Sequence, residues 1–252
     1  MVTFKDDFDT LNTEIWDIFD STNGQASFSV SNSKLTISVT SAQQQFVDAG
    51  ITLKNTLNLN NSVVEIKIDG LSGVTGYDIT RIGVAITNVP YRYYSGANPM
   101  QRGAYAHTID QVDKIVMVWE VIGDARYEAW RNFKSFPVII RIYINRSGLY
   151  FYHVIDGKEF FFHNLDADID VENAYLSIFL LGSFVQNGGG SGVVDYISIY
   201  DAEVPSTPPL QKAVKDVKVP DIPPEVAYPL LVNMMLIFIG NAILGMAEAL
   251  KK

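Results

Sequence analysis

The architecture predicted by the sequence is an all-β sandwich over residues 1–202, a proline-rich linker over 203–225 and one hydrophobic helix over 226–250. Three observations predict it. Short runs of β-branched and aromatic residues recur as far as Tyr200, separated by turn dipeptides. Seven of the ten prolines then fall between Pro205 and Pro229. Finally, the 22 residues from Val226 to Ala247 carry no charge at all.

Taken in order, the runs read as strands. "KLTISVT" sets Leu35, Ile37 and Val39 on one face, because side chains alternate along a strand. "VVEIKID" buries Val64, Ile66 and Ile68 and turns Glu65, Lys67 and Asp69 to water. "VIIRIYI", "LYFYHVI", "KEFFFH" and "AYLSIFLL" continue the theme. Asp156-Gly157 is a two-residue hairpin signal, and it pairs His153 with Phe160 and Tyr150 with His163. A second hairpin about Gly123-Asp124 gathers Met117, Trp119, Arg126, Glu128 and Trp130 on one face. "NGGGSG" reads as a flexible connection, and no long amphipathic helix interrupts the strands.

After Tyr200 the prolines forbid a continuous helix or strand, since each lacks a donor and restricts its neighbour. The segment reads as an extended, semi-rigid spacer. The uncharged run that follows would be about 33 Å long as a helix, against roughly 30 Å of bilayer hydrocarbon. Asn233, Gly240 and Ala247 recur along it at a spacing of seven residues. Such a stripe lets helices pack closely, so the tail is expected to associate with a membrane, with partner helices or with copies of itself, giving a homo-oligomer.

Charge excludes one class of partner. Residues 1–202 hold 23 acidic and 14 basic side chains, and the last 50 residues hold five of each. An acidic domain without a basic stripe repels phosphate backbones, so no nucleic acid is expected as a partner. The absence of cysteine removes disulfides, thiolate metal sites and thiol nucleophiles.

Three stretches, "FKDDFDTLNTEIWDIFD", "FPVIIRIYINRSGLYFYHVIDGKEF" and "GVVDYISIYD", together resemble the concanavalin A-like jelly rolls. That superfamily includes laminarinase-type glycoside hydrolases, legume-type lectins and laminin-G-like modules. The resemblance implies a jelly-roll sandwich whose last strand returns beside the first. It also implies that Asp195, in "VVDYI", is the matching position for a structural calcium ligand. The hydrolases carry Glu-x-Asp-x-(x)-Glu on one strand. Here "KIVMVWEVIGDARYEAW" offers Glu120 and then no acid until Asp124, so the motif is missing and no catalytic residue is assigned. Glu65 and Asp69 on "EIKID" stand about 13 Å apart at strand spacing, too far for a retaining pair.

Binding candidates remain. Trp119 and Trp130 beside Arg126 and Glu128 suit a sugar, with rings for its apolar face and charged groups for its hydroxyls. Tyr150, Tyr152 and His163 share the polar-tipped face of the other hairpin. Tyr91, Arg92, Tyr93 and Tyr94 lie in a Pro- and Gly-bearing stretch that reads as a recognition or interface loop.

The expected function is non-enzymatic: a surface-displayed lectin-like or structural module that meets a glycan or cell-surface receptor. "MVTFKDDFDT" lacks a signal-peptide pattern, and terminal lysines favour a cytoplasmic end. A virion coat or spike protein reconciles the two. A cellular membrane-anchored carbohydrate-binding protein and a divergent laminarinase-like hydrolase are the alternatives. The tail reading predicts that the full chain floats with liposomes. Deleting residues 226–252 should abolish flotation, and a full chain that stays in the aqueous fraction would count against an anchor.

Overall fold

The computed structural model of the protein describes residues 2–22, 24–41, 46–73, 79–91, 103–109, 115–122, 125–166, 169–183 and 188–202. The linker and hydrophobic helix expected over 203–225 and 226–250 lie outside them. So do Asn233, Gly240 and Ala247, and the loop residues Arg92, Tyr93 and Tyr94.

Among the described residues every regular element is a strand. In chain order these are β1 (Val2–Asp6), β2 (Trp16–Asp20), β3 (Ala26–Val30), β4 (Leu35–Ser41) and β5 (Phe46–Leu53). Next come β6 (Ser62–Ser72), β7 (Ile79–Thr87), β8 (Gly103–Ile109), β9 (Ile115–Ile122) and β10 (Ala125–Asn132). Last are β11 (Val138–Asn145), β12 (Gly148–Ile155), β13 (Lys158–Asp166), β14 (Tyr175–Ser183) and β15 (Gly188–Asp201).

The strands form two antiparallel sheets. One has eight strands in the order β13-β12-β11-β6-β15-β4-β3, with β1 also paired to β15; the other has seven, β10-β9-β8-β7-β14-β5-β2. Each contributes alternate side chains to one shared core. From the first come Leu35, Ile37, Val39, Val64, Ile66, Ile68, Ile140 and Ile142; from the second Ile51, Val84, Ile86, Ile178 and Leu180, all buried. At about 1.5–3 kcal/mol for each fully buried aliphatic side chain, this layer is the main source of stability. The β-branched and aromatic runs seen in the sequence are its two walls.

The chain closes on itself as the resemblance implies. β1 lies antiparallel to β15, with Val2 opposite Tyr200 and Asp6 opposite Ile197. Asp6 also fixes the turn that follows: the Trp16 indole N–H donates to Oδ2 (2.7 Å) and the Phe8 amide to Oδ1 (2.8 Å). Trp16 and Phe8 are both fully buried.

Two expectations change. "NGGGSG" is not a loose connection, because Gly188 to Gly192 open β15 and pair with Ser41 to Ile37 of β4. A Cβ on Gly192 would stand 2.3 Å from Ile82 Cδ1, and one on Gly190 2.3 Å from Thr80 Oγ1. The glycines are there because the opposite sheet presses against this strand. Glu65 does not simply face water either: it lies on the outer side of β6 yet is only 8% exposed.

The Asp156-Gly157 hairpin forms as the sequence predicts, with φ of 51° and 73° at the two residues and His153 opposite Phe160. A bulge between Phe151 and Tyr152 then shifts the remaining register. Replacing Gly192 by Ala is expected to cost about 1–3 kcal/mol through overpacking against Ile82 and Leu180, read as a lower midpoint in urea unfolding.

Candidate functional site

The outer face of the seven-stranded sheet is built in cross-strand rows. One row runs Phe19, Gly50, Phe179, Gly83, His107, Met117, Trp130. The next runs Thr52, Ser177, Ala85, Tyr105, Trp119, Glu128. In a third, Gly103 stands opposite Val121 and Val121 opposite Arg126. The hairpin register expected from the sequence is therefore present. Met117, Trp119, Arg126, Glu128 and Trp130 hold positions on the same face as Tyr105 and His107.

β8 explains how that face is made. Ala104 and Ala106 enter the core while Tyr105 and His107 alternate to the outer side. Small residues inside let the strand sit close, and large ones outside give the face its substance. Tyr91 lies on top of them: its ring stacks on Phe179 at 5.3 Å and tilts against Phe19 at 4.9 Å. Tyr105 meets Tyr91 edge-on at 6.0 Å. Gly50 makes room for this group, since a Cβ there would be 2.4 Å from the Phe19 ring.

Tyr91 was expected in a recognition or interface loop, but its side chain is 3% exposed. It is the anchor that seats the chain on the sheet, and Tyr105 and Phe179 form the socket. His107 and Asp48 are buried on the same face, and Thr52 and Ser177 share a hydrogen bond of 2.8 Å. Tyr105, His107, Phe179 and Asp48 were missed in the sequence. The alternation of small and large residues in "GAYAHTI" was the available signal.

The second set of candidates lies on the other sheet. Rows on its outer face run Phe161, Tyr152, Arg141, Glu65, Ser198 and Asn164, Tyr150, Tyr143, Val63, Tyr200. Tyr150 and Tyr152 are on this face as expected, but the bulge in the hairpin sets His163 opposite Phe151, a core residue. Burial lowers the pKa of His163. It therefore leaves the set, and Asn164 takes the place opposite Tyr150.

An ionic and phenolic network covers the middle of this face. The Arg141 guanidinium bonds both Glu65 and Glu159, with Nε 2.6 Å from Glu65 Oε2. Tyr196 donates to Glu65 Oε1 and Tyr143 to Glu159 Oε1, each at 2.6 Å. Burial, then these bonds to carboxylates, raise the pKa of both phenols. Burial and the Glu65 charge push Tyr200 up to about 12; burial and the Glu159 charge do the same for Tyr152.

Asp195 stands beside this network, and its surroundings do not fit a calcium site. Its Oδ2 accepts from the Lys67 ammonium at 2.5 Å, and Lys67 also lies 3.7 Å from Asp69, which Lys34 holds in turn. Two lysines already neutralise the two carboxylates, so a cation would have to displace Lys67. Among the described residues no group of three or more His, Asp or Glu is arranged to hold a metal ion.

No family model matches the chain, and no curated protein sequence does. Solved structures match its fold. A legume lectin-like domain from Entamoeba histolytica superposes with a TM-score of 0.54 at 15% identity, covering 76% of this chain and 91% of that one. A GH16 protein of a Bacteroides ovatus mixed-linkage glucan locus, in complex with product, gives 0.51 at 11% identity over 78% and 99%. The exoplasmic/lumenal domain of VIP36, in a form bound to Ca2+ and Man3GlcNAc, gives 0.51 at 10% over 79% and 88%. The fold is the concanavalin-like jelly roll.

The phenols on the eight-stranded sheet set an alkaline limit. Their folded pKa values lie above the unfolded value near 10, so their contribution is complete below pH about 10 and is lost as pH rises through about 12. Absorbance at 295 nm should show a late-titrating subset of tyrosines whose ionisation coincides with loss of the β circular-dichroism signal.

Proposed function

We propose that the chain is a non-enzymatic, lectin-like module that binds a glycan across the β8–β9–β10 end of the seven-stranded sheet. The observation that carries this reading is the register. It gathers Trp119, Trp130, Arg126 and Glu128 at positions of one face, beside Tyr105 and His107. Two indoles suit the apolar face of a pyranose, and a guanidinium with a carboxylate suits its hydroxyls. The lectin-like domain of Entamoeba and the glycan-bound form of VIP36 support the same class of ligand on the same fold.

The hydrolase alternative, kept in view by the GH16 neighbour, needs two carboxyls about 5–5.5 Å apart for retention. Glu128 stands opposite Trp119 in the register, whereas Glu120 stands opposite the core residue Ala104. Successive positions of one strand, such as Trp119 and Glu120, belong to opposite faces, so these two acids are not placed to act on one bond.

In this proposal the linker 203–225 and the helix 226–250 display the sandwich on a surface. The packing stripe of Asn233, Gly240 and Ala247 makes it a homo-oligomer. The surface favoured is that of a virion, with the chain a coat or spike protein; a cell surface is the alternative.

A glycan array tests the binding reading. Trp119→Ala and Trp130→Ala should each weaken the strongest signal at least about tenfold, with melting temperature unchanged, as stacking rings at a binding centre do. Unaltered binding in both variants would remove the site from this face. Release of reducing sugar from a β-glucan panel, abolished by Glu128→Gln, would replace the lectin reading by the hydrolase one.

A further inference from the structure

Where β1, the end of β15 and the chain leading into β6 meet, they enclose a cavity of about 340 Å³. Its apolar surface comes from Phe4 and from Leu59 and Ile199, which are buried; Phe4 is backed edge-on by Trp16 at 6.1 Å. Around that surface stand Thr3, Asn58, Asn60, Ser62 and Asp201.

Two of these polar groups, Asn58 and Thr3, are tied to the backbone and keep bonding capacity to spare. Asn58 Oδ1 accepts from the Asn60 amide at 3.0 Å, which fixes the turn and leaves the Asn58 side-chain NH2 uncommitted. Thr3 donates its hydroxyl proton to the Ile199 carbonyl at 3.0 Å, so its lone pairs point elsewhere. The turn itself is pinned from both sides: the Leu57 amide bonds the Ala174 carbonyl (2.8 Å) and the Leu59 amide the Val171 carbonyl (2.7 Å). These donors and acceptors are preorganised rather than carried on a loose loop.

We infer that this cavity is a second binding site, for a single neutral sugar ring, separate from the glycan face of the seven-stranded sheet. Its volume lies at the lower end of the range for small-molecule pockets, which fits one ring and not a long chain. Amides, hydroxyls and one carboxylate around an aromatic ring match a ligand with several hydroxyls on one side and C–H groups on the other. No lining residue is cationic and Asp201 is acidic, so an anionic ligand is disfavoured. Two sites on one chain would let a displayed, oligomeric protein hold a branched glycan at two points.

The test is saturation-transfer NMR and calorimetry on the full chain, with free glucose, galactose, mannose, fucose and N-acetylglucosamine as probes and glucuronate as the anionic control. At least one neutral sugar should bind in about the millimolar range expected of one ring held by a few hydrogen bonds. Asn60→Ala should weaken it roughly tenfold. Asn58→Asp, which keeps the Oδ1 acceptor that fixes the turn and removes the NH2 donor, should weaken it with the melting temperature unchanged. Trp119→Ala should leave it unchanged, which separates this site from the glycan face. The inference is overturned if none of the five neutral sugars binds, if binding survives both cavity variants, or if it disappears with Trp119→Ala.

Discussion

A change of parity in the last strand governs what the sandwich presents on its larger sheet. β15 pairs with β6 from Ser191 to Asp201, and the ladder shifts between Val193 and Val194 and again between Val194 and Tyr196. Val194, Ile197 and Ile199 all reach the core, although a regular strand would send residues three apart to opposite faces. Asp195 and Tyr196 are thereby both delivered to the outer side. One meets Lys67 and the other meets Glu65. Without the bulge, either the core would lose an aliphatic layer or Glu65 would lose a donor.

Glu65 needs those donors. A carboxylate with so little exposure costs several kcal/mol to desolvate, at the order of magnitude general for buried ions, and is tolerated only when its lone pairs are met. Arg141 from β11 and Tyr196 from β15 approach it from the two neighbouring strands. A slip of either strand by one residue would send its partner group to the core face, so the network specifies register as well as stabilising it. The same strand imposes a kinetic cost. β15 also pairs with β4 and β1, so the centre of the sheet waits for residues almost 200 positions from the first strand. Contacts of such separation belong to folds that form slowly.

Much of this was legible in the sequence, and the misreadings share a cause. Strands showed as period-two runs because their inner faces are apolar; Leu35, Ile37 and Val39 are an example. The return of the last strand beside the first came from resemblance, since pairing across the whole chain leaves no local signal. Bulges were invisible, because an extra residue on one strand alters no composition. That single omission misplaced His163. Gly188 to Gly192 were misread because glycine marks a flexible loop and a tightly covered strand alike. Only the Ile82 and Thr80 side chains against them decide which. Glu65 and Asp195 looked solvated and metal-binding for a comparable reason: their partners Arg141 and Lys67 are 76 and 128 residues away.

The two outer faces differ in what they have left to offer a ligand. On the eight-stranded sheet the charges are spent on one another. Arg141 is shared by two glutamates, and Tyr143 and Tyr196 donate to the same carboxylates. A sugar bound there would have to break bonds stronger than those it forms. Tyr152, whose buried hydroxyl has no partner, is closed in by Tyr143 and Phe161 at 5.1 and 5.5 Å. The seven-stranded face is organised differently: its buried aromatic group, Tyr91, Tyr105 and Phe179, is packed among itself and holds the surface rigid. Rigid support of that kind lowers the ordering cost when a neighbouring residue meets a ligand. The glycan site proposed above draws on the Trp119 set for this reason: in the register its row adjoins a finished aromatic layer and not a saturated ionic one.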